Sequence, residues 1–288
     1  MNRYRMKYCR IFFYSLILAV IFISLYFNIF KDVQIFIHKF EAKTYLRRKD
    51  YIHFEVSGNQ NVNLEFSRTS ICTKDCDRLE IVSSDVFFLS FVDCKMQSGA
   101  LPFFPNLYGL SIIESKNMQK PVLLPSDNLK KLRFLLLEGL DLNTSNYEFV
   151  TTASNIQNIN IMKSKIPYSF FNNIQSMKEW QRACFRGSTF ENECVKYLSK
   201  NAVLLKHVNL ASTNINDEDL LDLPQGIVSC DISNTNTSSQ GIIAMVTSKR
   251  YKSLKIIYTH IVFSENEIEI FQNKGITIIN DDENYFTY

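Results

Sequence analysis

The sequence predicts an α/β fold in which short parallel strands alternate with short helices along most of the chain. Three observations support this: an apolar pattern that recurs about every 24 residues, helix-start signals between its copies, and a hydrophobic content of 46%. In a chain of 288 residues that content allows a sizeable core. One further stretch, residues 11–30, stands apart because it holds no charged residue.

The uncharged stretch at residues 11–30 reads IFFYSLILAVIFISLYFNIF. At about 1.5 Å per residue, a helix of that length spans roughly the 30 Å hydrocarbon core of a bilayer. Four bases precede it (Arg3, Arg5, Lys7 and Arg10) and no acid does, so the positive-inside rule keeps the N-terminus cytoplasmic and places the rest outside. A cleaved signal peptide, with a shorter apolar region, and a buried core helix are the alternatives.

Charge and segment boundaries give the expected domain organisation. The remaining 28 bases face 29 acids, so the main body has no basic excess for binding nucleic acid. We expect a cytoplasmic basic head (1–10), a transmembrane signal anchor (11–30), a juxtamembrane helix or stalk with a capping strand (31–60), and a repeat domain (61–288).

The recurring pattern is clearest in LKHVNLASTNI, residues 205–215, which reads L-x-x-L-x-L-x-x-T-x-I with Val208 in the fourth place. Alternate apolar residues predict a short strand with one buried face. The fourth-place residues of the copies are Leu64, Leu89, Leu110, Leu135, Ile159, Ala183, Val208, Cys230 and Ile257, with Ile276 marking a final strand.

This pattern resembles the leucine-rich repeat family over about residues 61–281. The resemblance implies a solenoid with a curved parallel sheet on its concave face and short helices or turns on its convex face. The ninth place departs from the family, because it holds Thr, Ser or Cys, and Leu at Leu140, where the family usually has Asn; Thr there is similar to a bacterial subtype. Hydroxyls there can still bond backbone groups between units. The alternative is an ordinary α/β domain with parallel strands.

Helix-start signals lie between the strands. Asn216 or Asp217 is expected to cap a helix that begins with acids, since the positive end of the helix dipole favours them. Ser264 and Glu267 have the spacing of a capping box, and Gly275 follows the end of that helix.

Candidate catalytic and metal-binding motifs are missing from the sequence. No two of the four histidines have metal-ligand spacing, and no serine-nucleophile or phosphate-cradling motif is present. We therefore predict no enzymatic activity, no cofactor, no metal site and no small-molecule substrate. Cys72, Cys76 and Cys94 could form a disulfide among themselves, and Cys184 could pair with Cys194, if the compartment is oxidising.

Side chains in the third, fifth and seventh places are predicted to point away from the core, onto the open face of the sheet. Their apolar members cluster in neighbouring units and are bordered by two arginines. A register slip of one residue would bury them instead, and the N-terminal stalk could also cover them. The predicted partner-binding residues are Phe88, Val92, Ile113, Phe134, Leu136, Met162, Arg182 and Arg186.

The resulting functional expectation is a single-pass membrane protein whose repeat domain binds a protein, or another macromolecule, outside the cytoplasm through its concave face. Exposed contiguous apolar surface is typical of an interaction site. The alternative is a structural or envelope-organising protein that has no soluble ligand.

Overall fold

The computed structural model describes most of the chain after residue 30. The described ranges are 31–32, 34–43, 52–57, 61–68, 70–71, 73–96, 101–114, 124–143, 147 and 149–280. The predicted head (1–10) and membrane segment (11–30) lie outside the described residues. Within those ranges, no helix is both long and apolar enough to cross a membrane.

Strands and short helices alternate along the chain. The first helix, α1, is helical at 31–32 and 34–43. The later helices are α2 (Thr73–Val82), α3 (Ser126–Leu129), α4 (Phe149–Thr152), α5 (Tyr168–Asn172), α6 (Cys194–Asn201), α7 (Asp217–Leu221), α8 (Ser239–Thr247) and α9 (Glu265–Asn273). 3-10 turns cover Ser83–Asp85 and Gln175–Glu179. The strands are β1 (Ile52–Ser57), β2 (Asn61–Ser67), β3 (Ser70–Ile71), β4 (Val86–Val92), β5 (Lys95–Met96), β6 (Gly109–Ile113), β7 (Phe134–Glu138), β8 (Asn158–Met162), β9 (Lys165–Ile166), β10 (Arg182–Cys184), β11 (Thr189–Phe190), β12 (His207–Asn209), β13 (Ser229–Asp231), β14 (Ile256–Thr259) and β15 (Thr277–Asn280).

Eleven strands form one sheet, in the order β1-β2-β4-β6-β7-β8-β10-β12-β13-β14-β15. β1 is antiparallel to β2, and the other ten strands are parallel. The fourth-place residues lie opposite one another from Leu64 to Ile257, as the repeat predicts. The prediction is wrong at the last strand, where Ile278 and not Ile276 pairs with Ile257. Two small parallel pairs, β3 with β5 and β9 with β11, lie outside this sheet.

The hydrophobic core lies between one face of the sheet and the helices. Leu135 and Leu137 of β7 are fully buried, whereas Leu136 between them is half-buried. Successive helices pack side by side, α3 on α4, α5 on α6, α7 on α8 and α8 on α9. The helix residues Leu198 and Met245 belong to the same buried cluster as the strand residues. The fold therefore has two layers, with the helices covering the face to which the fourth and sixth places point.

Eight parallel strands are followed by a residue in the left-handed conformation. Its φ is 49° at Asp93 and 48° at Lys163, although most side chains disfavour this region. The backbone N–H of such a residue donates to the next strand, as in Asp93 N to Ile113 O (2.9 Å) and Gly139 N to Met162 O (3.0 Å). The set comprises Arg68, Asp93, Glu114, Gly139, Lys163, Gly187, Ser212 and Asn234.

Ninth-place hydroxyls bond the backbone close to the turns. Ser164 Oγ accepts from Leu140 N (3.1 Å), and Ser188 Oγ accepts from Ser164 N (3.1 Å), so these two serines connect neighbouring units. Thr213 Oγ1 instead donates to Leu210 O (2.6 Å) within its own unit. The expected bonding between units is therefore present for Ser164 and Ser188, while Thr213 closes a local turn.

The helix-start signals correspond to observed caps. Asn216 Oδ1 accepts from Asp219 N (3.2 Å), and Asp219 Oδ2 accepts from Asn216 N (3.0 Å). Asn216, and not Asp217, is therefore the N-cap of α7. At α9, Glu267 Oε2 accepts from Ser264 N (2.8 Å), which confirms the predicted capping box.

The fold class expected from the family resemblance requires correction. The structure shows an α/β fold with ten parallel strands in one sheet; it does not show a leucine-rich repeat solenoid preceded by a transmembrane helix. The L-x-x-L-x-L template matched because any short strand that buries alternate side chains against helices produces it. A match to the template thus indicates a strand with one buried face, a property that other α/β folds share.

Candidate functional site

The candidate site is the face of the sheet that points away from the helices, which we call the outward face. In the third place, Phe88, Gly109, Phe134, Asn158 and Arg182 lie in register on five neighbouring strands. The six apolar residues predicted for partner binding, which we call the apolar patch, are all half-buried on this face. They are Phe88, Val92, Ile113, Phe134, Leu136 and Met162.

Two aromatic rings make the main contact in the apolar patch. Phe88 on β4 and Phe134 on β7 have ring centroids 5.5 Å apart at 50°, although β6 lies between their strands. β6 has Gly109 at this place, and a Cβ atom there would overlap the Phe88 ring. The missing side chain therefore lets the two rings meet above β6. The sequence signal was a glycine in the third place between two phenylalanines.

The seventh-place row of the patch is interrupted by a charge pair. Val92, Ile113, Glu138 and Met162 lie in register across four strands. Glu138 Oε1 is 2.7 Å from Lys163 Nζ. The structure thus brings the aromatic pair, Leu136, Val92 and Ile113 onto adjoining strands, and it places an ion pair between Ile113 and Met162.

Two arginines border the patch on the β10 side. Arg182 is exposed and Arg186 is half-buried. In the described part of the chain, neither guanidinium has a carboxylate within 4.0 Å. Burial, followed by the positive charges of Arg182 and Lys206, lowers the pKa of the neighbouring His207 below 6.5. That histidine is therefore mostly neutral at pH 7, and the two guanidinium groups supply the charge at this border.

A buried polar pair on the outward face was not foreseen from the sequence. Asn209 on β12 and Asp231 on β13 occupy fifth places, yet they are only 2% and 8% exposed. Asn209 Nδ2 donates to Asp231 Oδ2 (3.0 Å), Ala211 N donates to Asn209 Oδ1 (2.9 Å), and Ser233 N donates to Asp231 Oδ1 (3.0 Å). Burial raises the pKa of Asp231 although these hydrogen bonds oppose the rise. The available sequence signal was an Asn or Asp whose side-chain oxygen can accept a hydrogen bond from the backbone N–H two residues later.

The buried cysteines are poor nucleophiles. Cys184 and Cys194 are free thiols, so the disulfide considered between them is not formed. Burial raises the pKa of Cys184, and it raises that of Cys194 to about 12. Because the thiolate is the reactive form, both side chains are inert at neutral pH. Cys72, which was considered for another disulfide, lies outside the described residues.

The described ranges contain no assembled histidine or metal site. No group of three His, Cys, Asp or Glu side chains there could hold a metal ion. His207 Nδ1 lies 2.8 Å from Ser229 Oγ, but this serine is buried and no carboxylate bonds the histidine. His260 Nδ1 accepts from Asn234 N (2.9 Å). These contacts hold turns and strands together and do not form a nucleophile with its base.

Two open grooves lie away from the outward face. One of about 470 Å³ next to α6 and α7 is lined by polar and acidic residues, including Glu191, Glu193 and Glu218. The other, of about 440 Å³ beside α9 and β15, is more apolar and includes Phe271 and Ile278. Neither contains a residue predicted for partner binding. The apolar patch and its two arginines therefore remain the candidate site.

Comparison with known proteins adds no functional assignment to this geometry. No model of a known protein family matches the chain, and no curated protein matches it.

Proposed function

We propose that this protein binds a macromolecular partner, in the first instance another protein, through the outward face of its sheet. The observation that carries the proposal is the contact between the Phe88 and Phe134 rings above Gly109. These rings stay half-buried on the open face and are not packed into the core. Contiguous apolar surface marks interaction sites, and aromatic and arginine side chains are the usual anchors of protein interfaces.

We place this binding at a membrane, with the sheet outside the cytoplasm. The support is the composition of residues 11–30, which are uncharged, and the four bases that precede them. The partner surface is expected to be apolar at its centre and acidic where it meets Arg182 and Arg186. The proposal includes no catalytic step, cofactor or nucleic acid.

A photo-crosslinking experiment tests the binding face. A benzophenone amino acid replaces Ile113 in the full chain, expressed in cells that naturally carry the gene. We expect one discrete protein adduct, and we expect it to disappear when Phe134→Asp and Leu136→Asp are added. The matched control is Val203→Asp with Leu204→Asp, two adjacent exposed apolar residues outside the patch.

Folding of each variant is followed by the fluorescence of Trp180, which is fully buried. An adduct that persists in the patch variant would show that the partner binds elsewhere. Unfolding of the patch variant alone would show that its side chains act as core. If no adduct forms in the parent chain, the structural alternative without a soluble ligand is favoured.

A further inference from the structure

Helix α1 is fixed to the body of the protein along one side. Lys39 Nζ lies 2.9 Å from Asp85 Oδ1, and Lys43 Nζ lies 2.8 Å from Asp85 Oδ2. Lys39 also donates to Ser84 Oγ (2.9 Å). One helical turn along, Ala42 is fully buried in the hydrophobic core. The helix is thus held against the 3-10 turn that precedes β4.

A different side of α1 is strongly apolar and exposed. Phe36 is 70% exposed, Phe40 is 64% and Ile37 is 47%. Phe36 and Phe40 are four residues apart and therefore lie on one face of the helix, with Ile37 next to them. This stripe, which we call the α1 stripe, is directed away from the face that carries Ala42. The polar residues Gln34, His38 and Glu41 occupy the third side of the helix and are exposed as well.

We propose that the α1 stripe lies in the headgroup region of a lipid membrane, parallel to the membrane surface. The inference rests on the proposed membrane attachment through residues 11–30. That segment has 20 residues without a charge, and Lys31, the residue that follows it, is the first described residue of α1. Phe36 is five residues after Lys31, or about 7.5 Å along the helix at 1.5 Å per residue. Helices of this kind sink their apolar face about 5–10 Å into the headgroup boundary, so the stripe is within reach of the lipid.

The charges of α1 fit this arrangement. The two lysines that would otherwise border the stripe are paired with Asp85 on the body. The same clamp links the membrane-facing helix to the start of β4, whose Phe88 belongs to the apolar patch. The α1 stripe would therefore set how the outward face is held relative to the membrane surface.

Fluorescence quenching in lipid vesicles tests the proposal. Full-length Phe36→Trp protein is reconstituted into vesicles of phosphatidylcholine and phosphatidylglycerol, with or without lipids that carry bromine high on the acyl chain. The parent protein, with its fully buried Trp180, supplies the background signal. We expect the added tryptophan to show a blue-shifted emission, to be quenched by the brominated lipid and to be shielded from aqueous iodide.

The matched control is His38→Trp, on the polar side of the same helix, and a second control is Val262→Trp, an exposed residue of the body. Both are expected to be quenched more by iodide than by brominated lipid. Vesicle flotation separates the two proposals. Protein that fails to float overturns the membrane attachment and the stripe together. Protein that floats while Phe36→Trp is quenched by iodide alone overturns the stripe. A tryptophan shielded from both quenchers would place the stripe against protein, such as a second copy, and would also overturn it.

Discussion

Leu135 and Leu136 are consecutive leucines of β7 that face opposite sides of the sheet, so the same truncation at each tests the assignment of the outward face. Leu135 is fully buried in register with Leu110 and Ile159. Leu135→Ala removes buried apolar area and leaves a cavity, for which we expect a loss of about 2–5 kcal/mol. Leu136 points to the opposite face and is only half-buried, so Leu136→Ala should cost about 1 kcal/mol or less.

The assay is urea denaturation of the detergent-solubilised full chain, followed by Trp180 fluorescence. Because Trp180 is fully buried among aromatic residues of the core, its emission reports loss of the core packing. The two variants share the starting residue, the introduced residue and the strand, so their difference measures the face alone. Equal losses, or a larger loss for Leu136→Ala, would refute the register and would remove the apolar patch as a binding surface.

Three further predictions concern other parts of the structure. Asn128 hydrogen-bonds both the backbone N–H and the carbonyl of Phe104, and Asn214 does the same with Phe190, but only Asn128 is buried. In urea denaturation, Asn128→Ala should therefore lower the free energy of unfolding by about 2–4 kcal/mol, and Asn214→Ala by about 1 kcal/mol. Burial alone would raise the pKa of Asp85, but hydrogen bonds from two lysines and a serine lower it overall. The ionised Asp85 carboxylate therefore stabilises the docking of α1 above the ordinary pKa of 3.8, and this stabilisation is lost as the pH falls through the lowered pKa. Protease cleavage after α1 should therefore increase in acid. Asp85→Asn should show the same increase already at pH 7. Gly109→Ala should displace the Phe88 ring and weaken the adduct formed by the benzophenone at position 113. It should shift the urea midpoint little, because Phe88 is half-buried on the outward face and lies outside the core; a strongly shifted midpoint would contradict this.

The sequence predicts the strands well where inward apolar residues alternate with outward ones. Leu135 and Leu137 illustrate this, since they alternate with the outward places Phe134, Leu136 and Glu138 and both are fully buried. The predicted register of the last strand is wrong because Ile276 and Ile278 are both apolar and two residues apart. Alternation therefore allows either residue to align with Ile257. Ile276 N donates to Phe271 O (2.9 Å) at the end of α9, and this helix-end contact, which alternation does not encode, selects Ile278.

The candidate site was predictable in its position and less so in its detail. Outward places follow from the alternation, and the ring contact across Gly109 follows from a glycine between two aromatic places. The burial of Asn209 and Asp231 does not follow, because it depends on hydrogen bonds between neighbouring strands that a single unit does not reveal. The α/β class was predicted, but the leucine-rich repeat solenoid was not supported, because a local apolar template describes the buried face of one strand and carries no information on how the strands stack.

The left-handed residue that follows eight of the parallel strands limits where the chain can change in length. It lies four residues after the fourth-place residue in all eight cases, for example Asp93 after Leu89 and Asn234 after Cys230. The distance from one fourth place to the next nevertheless ranges from 21 residues after Leu89 to 27 after Cys230. The variation in length therefore lies on the helical side, beyond the left-handed turn. A codon added between a strand and that turn would shift the donor N–H away from its acceptor, whereas one added in a helix or its following loop would leave every strand contact in place.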